Sequence, residues 1–230
     1  MMQKYRDIAY TLTRSKRKTA SIYIERDGQI SILVPEQLTE QQVEELIESK
    51  RKWIYTNLAE WRDLNATRVR REYVNGEGFL YLGRTYRLKL VETQDKPLML
   101  KNGYFCLRTD NRTAIDADAA FKEFFREKGK KRISVRVLCF QAKMGVQPKA
   151  VRIIELKNRW ASCSLRENLN FHWKCMMAPP TMLDYIIVHE LAHLIYANHT
   201  EAFWNEVDKV MPDYRDRKEW LRVNGAGMDL

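Results

Sequence analysis

His189-Glu190-Leu191-Ala192-His193-Leu194-Ile195-Tyr196-Ala197-Asn198-His199 gathers three of the chain's four histidines and sets a carboxylate beside the first. Successive residues of an α-helix turn by about 100°, so His189 and His193 lie about 40° apart on one face, one turn above the other. Two imidazoles so placed can close on one metal ion. Glu190 is rotated about 100° from His189, which spoils it as a ligand but suits it to reach a water beside the ion, as a general base does. A catalytic zinc ion keeps three protein ligands and an open position for water, whose pKa it lowers to about 7. His199 is the expected third ligand, with Glu201 or Glu206 next in line. An unbroken helix would carry His199 about 240° round from His193, so the helix must stop first. Ala197-Asn198 is the expected break, because Asn tolerates the left-handed conformation that ends helices. The competing reading makes Leu191, Leu194 and Ile195 the buried stripe of an ordinary core helix. Behind the apolar lead-in Tyr185-Ile186-Ile187-Val188, that reading buries two histidines and a glutamate without partners, which costs free energy unless a metal or hydrogen bonds satisfy them.

The rest of the chain frames this segment. Its 230 residues suffice for one large or two small cores, and a 45% hydrophobic content with six Trp excludes a disordered chain. The start, Met1-Met2-Gln3-Lys4-Tyr5-Arg6, has no apolar signal core, and no long charge-free run could span a bilayer, so a cytoplasmic protein without a membrane partner is expected. Cys106, Cys139, Cys163 and Cys175 show no CxxC pair, which argues against a cysteine metal site or disulfide scaffold and for small core residues. The net charge of +10 is spread over Arg14–Lys18, Lys50–Lys52, Arg68–Arg71 and Lys128–Arg132. It leaves open a nucleic acid or nucleotide partner as well as plain solubility.

Period-two alternation in Ser21–Glu25 and Gln29–Val34, joined across Arg26-Asp27-Gly28, predicts a hairpin. Thr39-x-x-Gln42 is a capping box ahead of Val43, Leu46, Ile47, Trp53, Ile54, Leu58 and Trp61 at helical spacing. Strands follow at Phe79–Leu82 and Tyr86–Val91, then a hairpin at Asn102-Gly103. From Asp116 or Asp118 a helical pattern runs through Phe121, Phe124, Phe125, Ile133, Val137 and Phe140 to Gly145, with Gly129 able to kink or divide it. Short strands at Val151–Leu156, Arg159–Ser164 and Asn170–Lys174 precede the histidine helix, for which Thr181 or Asp184 is the expected cap. Thr200 caps a further helix carrying Phe203, Trp204, Val207 and Val210, and a short helix through Tyr214 and Trp220 ends the chain. The expected fold is α+β, with a β-rich module carrying one long helix over residues 1–115. Residues 116–230 form a zincin-like domain built of a long helix, a small antiparallel sheet, the HExxH helix and C-terminal helices.

Several stretches together resemble the YgjP-like metallopeptidase family, zinc hydrolases of the zincin type. They are Arg14–Thr19, Tyr81-Leu82-Gly83-x-x-Tyr86-Arg87, Lys157–Ser164, Ala178-Pro179, Asp184-Tyr185, His189–His193, Asn198-His199, Phe203-Trp204 and Pro212-Asp213-Tyr214-Arg215. Ala161 departs from the glycine usual before Ser-Cys-Ser, adding a methyl where backbone would approach substrate. The histidine spacing is also similar to that of metzincins, which carry glycine where this chain has Tyr196. The WLM and SprT-like proteases of DNA-attached proteins share a similar site.

Three readings of function follow. In the first, a zinc peptidase holds one ion on His189, His193 and His199, and Glu190 deprotonates the attacking water. Arg159, Ser162 and Ser164 then offer an edge for an extended peptide, unless that segment is a packed hairpin with Trp160 in the core. Tyr214 either stabilises an oxyanion or only packs. In the second, the same metal cleaves a nucleoside triphosphate, an activity to which the resemblance has been linked, although the chain has no glycine-rich phosphate loop. The third is a DNA-associated protease or binding module in which the basic surface does the binding. His172 is expected to be structural or to orient a ligand.

Overall fold

The computed structural model describes residues 2–25, 28–65, 71–109, 116–156 and 159–230. The expected turn at Arg26-Asp27, the basic residues Arg68 and Arg70, and the motif residues Lys157 and Asn158 lie outside them. The fold is α+β, in two compact units, Met1–Arg68 and Val69–Leu230.

The first unit holds strands β1 (Met2–Tyr5), β2 (Ile8–Ser15), β3 (Ser21–Ile24) and β4 (Ile30–Pro35), in the order β1-β2-β4-β3, and helix α1 (Glu40–Asn65). The expected β3–β4 pairing forms antiparallel, Ser21 opposite Leu33. Strands β1 and β2 add an antiparallel pair ahead of it, with Ile8, Tyr10 and Leu12 turned inward and Ala9, Thr11 and Thr13 exposed. The capping box closes in both directions: the Thr39 N–H donates to Gln42 Oε1 at 3.0 Å and the Gln42 N–H to Thr39 Oγ1 at 3.2 Å. Val43, Ile47 and Ile54 then bury against Ile8, Tyr10, Ile30, Ile32 and Val34, while Trp53 stays 46% exposed.

The second unit begins with β5 (Gly78–Tyr81), β6 (Arg84–Val91), β7 (Leu98–Lys101) and β8 (Tyr104–Arg108), ordered β5-β6-β8-β7. Asn102 at φ 52° and Gly103 at φ 80° turn β7 into β8 with two residues, Lys101 facing Tyr104, as hairpin twist demands. Helix α2 (Ala117–Met144) is capped by Asp116, which accepts from the Ala119 N–H at 3.0 Å, and stopped by left-handed Gly145. Gly129 neither divides nor ends it; a Cβ there would touch Ile153 and Met176 at 3.4 Å, so the glycine lets neighbouring elements pack close. Phe79, Leu88 and Phe105 of this sheet share one core with Phe121, Phe124 and Phe125 of α2. The expected division at 115/116 therefore falls inside a continuous apolar interior.

Strands β9 (Ala150–Ile154), β10 (Ala161–Cys163) and β11 (Asn168–His172) form a sheet ordered β10-β11-β9. It was expected to be antiparallel and is mixed, because β11 runs parallel to β9 and antiparallel to β10. The chain leaves β9, passes to the far side of the β11 position and returns by a hairpin, so β10 is an edge strand. Helices α3 (Pro180–Ala192), α4 (Glu201–Val210) and α5 (Tyr214–Asn224) complete the unit. No described helix is long and apolar enough to cross a membrane. All four cysteines are free, but Cys139 is exposed and so is no core residue.

Candidate metal centre

Helix α3 is fixed at its start by backbone. Neither Thr181 nor Asp184 caps it; Pro180 stands in its first turn, where a missing N–H costs nothing, after Pro179 in extended conformation. Asp184 instead accepts both Nε and Nη2 of Arg136 at 2.7 Å, tying α3 to α2 in a fork-to-fork pair. The β5–β6 turn docks just ahead of α3: the Leu82 N–H donates to the Met176 carbonyl at 2.8 Å and the Gly83 N–H to Met177 at 3.0 Å. Gly83 lies so close to Pro179 that a Cβ would fall 2.9 Å from its Cα. This contact accounts for the Tyr81-Leu82-Gly83 motif. Arg217 of α5 adds a bond to the Thr181 carbonyl at 2.7 Å.

The apolar face Leu183, Ile186, Ile187, Val188, Leu191 and Ala192 is buried, which leaves His189 and His193 on the remaining side. The helix ends at Ala192, earlier than the expected break at Ala197-Asn198, and Asn198 is not left-handed. Its last carbonyls are taken by tight turns, the Leu194 N–H reaching Leu191 at 3.0 Å and the Ile195 N–H reaching Ala192 at 3.1 Å. His193 Nδ1 lies 3.1 Å from the Tyr196 carbonyl. A carbonyl only accepts, so Nδ1 carries the hydrogen and Nε2 keeps its lone pair. After this turn the chain brings His199 back.

One ring nitrogen from each of His189, His193 and His199 lies within 4.8 Å of the others, and this is the group among the described residues that could hold a metal ion. His189 Nε2 and His199 Nε2 are 3.0 Å apart. Ligand nitrogens on a tetrahedral ion with bonds of about 2.0–2.1 Å stand about 3.3 Å apart, so the donor set fits a metal with little adjustment. Burial, then the neighbouring His193 and His199, holds the His189 imidazole down to about 3, and burial lowers His199 as well. Neutral imidazole is the form a metal requires. Phe203, fully buried on α4, touches all three rings with centroids 5.0, 4.7 and 4.7 Å away. Trp204 stacks on His199 at 5.5 Å, and Thr200 caps this helix through the Phe203 N–H.

Glu190, next to His189 on α3, lies beside β10. Its carboxyl is 6% exposed, with Oε2 lacking any hydrogen-bond partner. Burial pushes it up to about 8, against the opposing pull of the Arg159 charge and the Cys163 backbone N–H. Ser164 and Trp160 bond their backbones to β11 at 2.9 and 2.7 Å. By the alternation of an antiparallel ladder, Ala161 and Cys163 present theirs to the outside, where Glu190 sits.

The remaining sequence-chosen residues divide. Arg159 is exposed, with its charge felt at Glu190. The Ser162 hydroxyl accepts from Asn170 at 3.4 Å and that of Ser164 from the Asn168 N–H at 3.1 Å, so both face the hairpin. Trp160 packs half-buried on the main core. Tyr214 is 7% exposed, stacked on Trp204 at 5.2 Å, and its hydroxyl receives Arg215 Nε at 3.2 Å. His172 caps the 3₁₀ turn Trp173–Met177 by accepting the Lys174 N–H at 3.0 Å, a structural role. Glu206 pairs with Lys209 at 2.7 Å. The reading of residues in isolation missed that the Cys163 N–H meets Glu190 and that Lys218 stands over Trp204, since both contacts join segments far apart in the chain.

The model of the YgjP-like metallopeptidase domain matches residues 18–224 of this chain. The chain belongs to the YgjP-like metallopeptidase family. Membership makes it a metal-dependent hydrolase of the peptidase class, and it lends no support to the nucleotide or nucleic-acid readings that the charge left open. No curated protein matches the chain. Among solved structures, the metallopeptidase zymogen abylysin of Pyrococcus abyssi is 26% identical, over 39% of this chain and 90% of its own, with a TM-score of 0.37. The zymogen jannalysin of Methanocaldococcus jannaschii is 22% identical, over 39% of this chain and 92% of its own, with a TM-score of 0.36. For this YgjP-like chain the family match spans both units, whereas those two likenesses are partial.

Proposed function

We propose that this protein is a zinc peptidase in which His189, His193 and His199 hold one ion and Glu190 is the general base. The observation that carries the proposal is the convergence of three imidazoles beside the buried carboxyl of Glu190, which helix α3 sets against edge strand β10. Zinc bound there would lower the pKa of a water to about 7 and polarise a carbonyl, and all-nitrogen tetrahedral donors suit it among the divalent metals. Glu190, in its ionised form, which a cation bound beside it would favour, takes a proton from the attacking water as its oxygen adds to the carbonyl carbon. It returns the proton to the amine nitrogen as the C–N bond breaks. The outward backbone groups of Ala161 and the Cys163 carbonyl can receive an extended peptide by strand addition, with Arg159 beside it to steady negative charge on the carbonyl oxygen. Tyr214, held under Trp204 and bonded to Arg215, supports the wall more than the oxyanion.

The test is Glu190→Gln assayed with metal analysis on unstructured protein. One equivalent of zinc with cleavage reduced at least about 10³-fold is expected from loss of the base; undiminished cleavage would sink the assignment. His199→Ala should lose zinc, and unchanged metal content would send the third ligand elsewhere.

A further inference from the structure

Trp204 has two neighbourhoods. One edge belongs to the imidazoles, 5.5 Å from His199 and 5.8 Å from His189. The other opens into a pocket of about 450 Å³ lined by Trp204, Tyr214, Arg215, Lys218, Glu219 and Arg222. The carboxylate in that lining is already spoken for, since Glu219 takes Arg222 in two bonds of 2.5 and 2.8 Å. Lys218 places its ammonium 4.6 Å from the Trp204 ring centre, and Arg215 lies over Tyr214 with Nε on its hydroxyl. Among the described residues neither Lys218 nor Arg215 has a carboxylate within ion-pair distance. The Trp204 ring thus lies next to both the Lys218 ammonium, at 4.6 Å, and the His199 ring, at 5.5 Å, so the cation stands one ring away from the imidazoles.

We infer that Lys218 and Arg215 form a subsite for a carboxylate of the peptide substrate, borne by an Asp or Glu side chain or by a free C-terminus near the scissile bond. The inference rests on the peptidase reading for its substrate and goes beyond it in specificity. Two cations with no carboxylate within ion-pair distance attract the anion, Arg215 through the guanidinium nitrogens that Tyr214 does not take, and the Trp204 and Tyr214 rings give its aliphatic stem an apolar floor. A carboxylate binding in this exposed setting gains about one ion pair, on the order of two- to fivefold in affinity, weakening with salt.

The experiment separates this claim from catalysis. Zinc-loaded Glu190→Gln protein, full length, is titrated calorimetrically with a host peptide of Ala and Gln in which one Glu is moved through successive positions, each compared with its all-Gln parent and with free and amidated C-termini. The expected result is one Glu position, or the free C-terminus, binding about two- to fivefold tighter. The preference should vanish in Lys218→Met, which keeps the alkyl cover on Trp204, and turn toward a Lys-bearing peptide in Lys218→Glu. Arg215→Gln should weaken it. Loss on amidation identifies the C-terminus as the anion, and a positional Glu effect identifies a side chain. Equal affinity for Glu and Gln peptides, or a preference that survives both Lys218→Met and Arg215→Gln, overturns the subsite. Acid-selective binding with no cleavage of any peptide by the zinc-loaded wild type would keep the subsite and remove the peptidase reading instead.

Discussion

Glu190→Gln should stabilise the metal-free protein, and chiefly at alkaline pH. Burial moves the Glu190 carboxyl from an ordinary 4.5 to about 8. Between these values the folded state keeps a proton that the unfolded chain has released, so stability falls as pH rises through the window. At about 1.36 kcal/mol per pH unit the ceiling on that loss is about 4–5 kcal/mol, reached above pH 8. His189 works with the opposite sign. Its folded value of about 3 lies below the ordinary 6.5, so the unfolded chain binds the proton first and stability falls as pH drops from about 6.5. The two slopes offset each other between pH 4.5 and 6.5, which predicts a plateau there for the chelated wild type and a decline on either side. Glutamine keeps the shape of Glu190 without its charge and removes the decline from pH 4.5 upward, so stability rises through the former plateau and levels off above about pH 6.5. Chemical unfolding in chelator, followed by the fluorescence of Trp160, Trp173, Trp204 and Trp220 in the second unit, measures this at pH 5 and 8.5. The advantage of the variant should grow between those two pH values by about 2 kcal/mol or more, within the ceiling set by linkage. Parallel curves for the two proteins would refute the claim that the carboxyl is charged at the cost of stability.

Phe203→Ala should destabilise the protein by about 3–5 kcal/mol and, because one ring braces all three imidazoles, weaken metal binding as well; a zinc titration matching wild type would contradict the bracing. Gly83→Ala forces a methyl against Pro179 at a φ of +76°, with an expected cost of about 1–2 kcal/mol from the backbone alone. Thermal unfolding at the wild-type temperature would show that the β5–β6 turn does not clamp the start of α3.

What could be read without coordinates was local. The i, i+4 histidines, the Thr39–Gln42 box, the Asn102-Gly103 turn and the Asp116 and Thr200 caps each join residues at most four apart, and bond geometry at that range follows from helix and turn pitch alone. The limits of this reading fall where two segments compete. The α3 terminus falls at Ala192 and not at Asn198: i to i+3 backbone bonds, Leu194 to Leu191 and Ile195 to Ala192, tighten the chain there, and His193 meets the Tyr196 carbonyl in the turn that follows. Asp184 looked like a cap and became the partner of Arg136, 48 residues away. Likewise the division of the chain follows the phenylalanine core that sheet β5–β8 shares with α2, which no linker composition announces. By itself, the sequence determined that His189 and His193 share one helix face with Glu190 beside them, since helical pitch places residues that close in the chain. The tertiary structure alone decided that Glu190 faces an edge strand while Phe203, Trp204 and Lys218 close round the imidazoles. Burial and charge at a site are sums over segments distant in sequence, and folding is what brings them together.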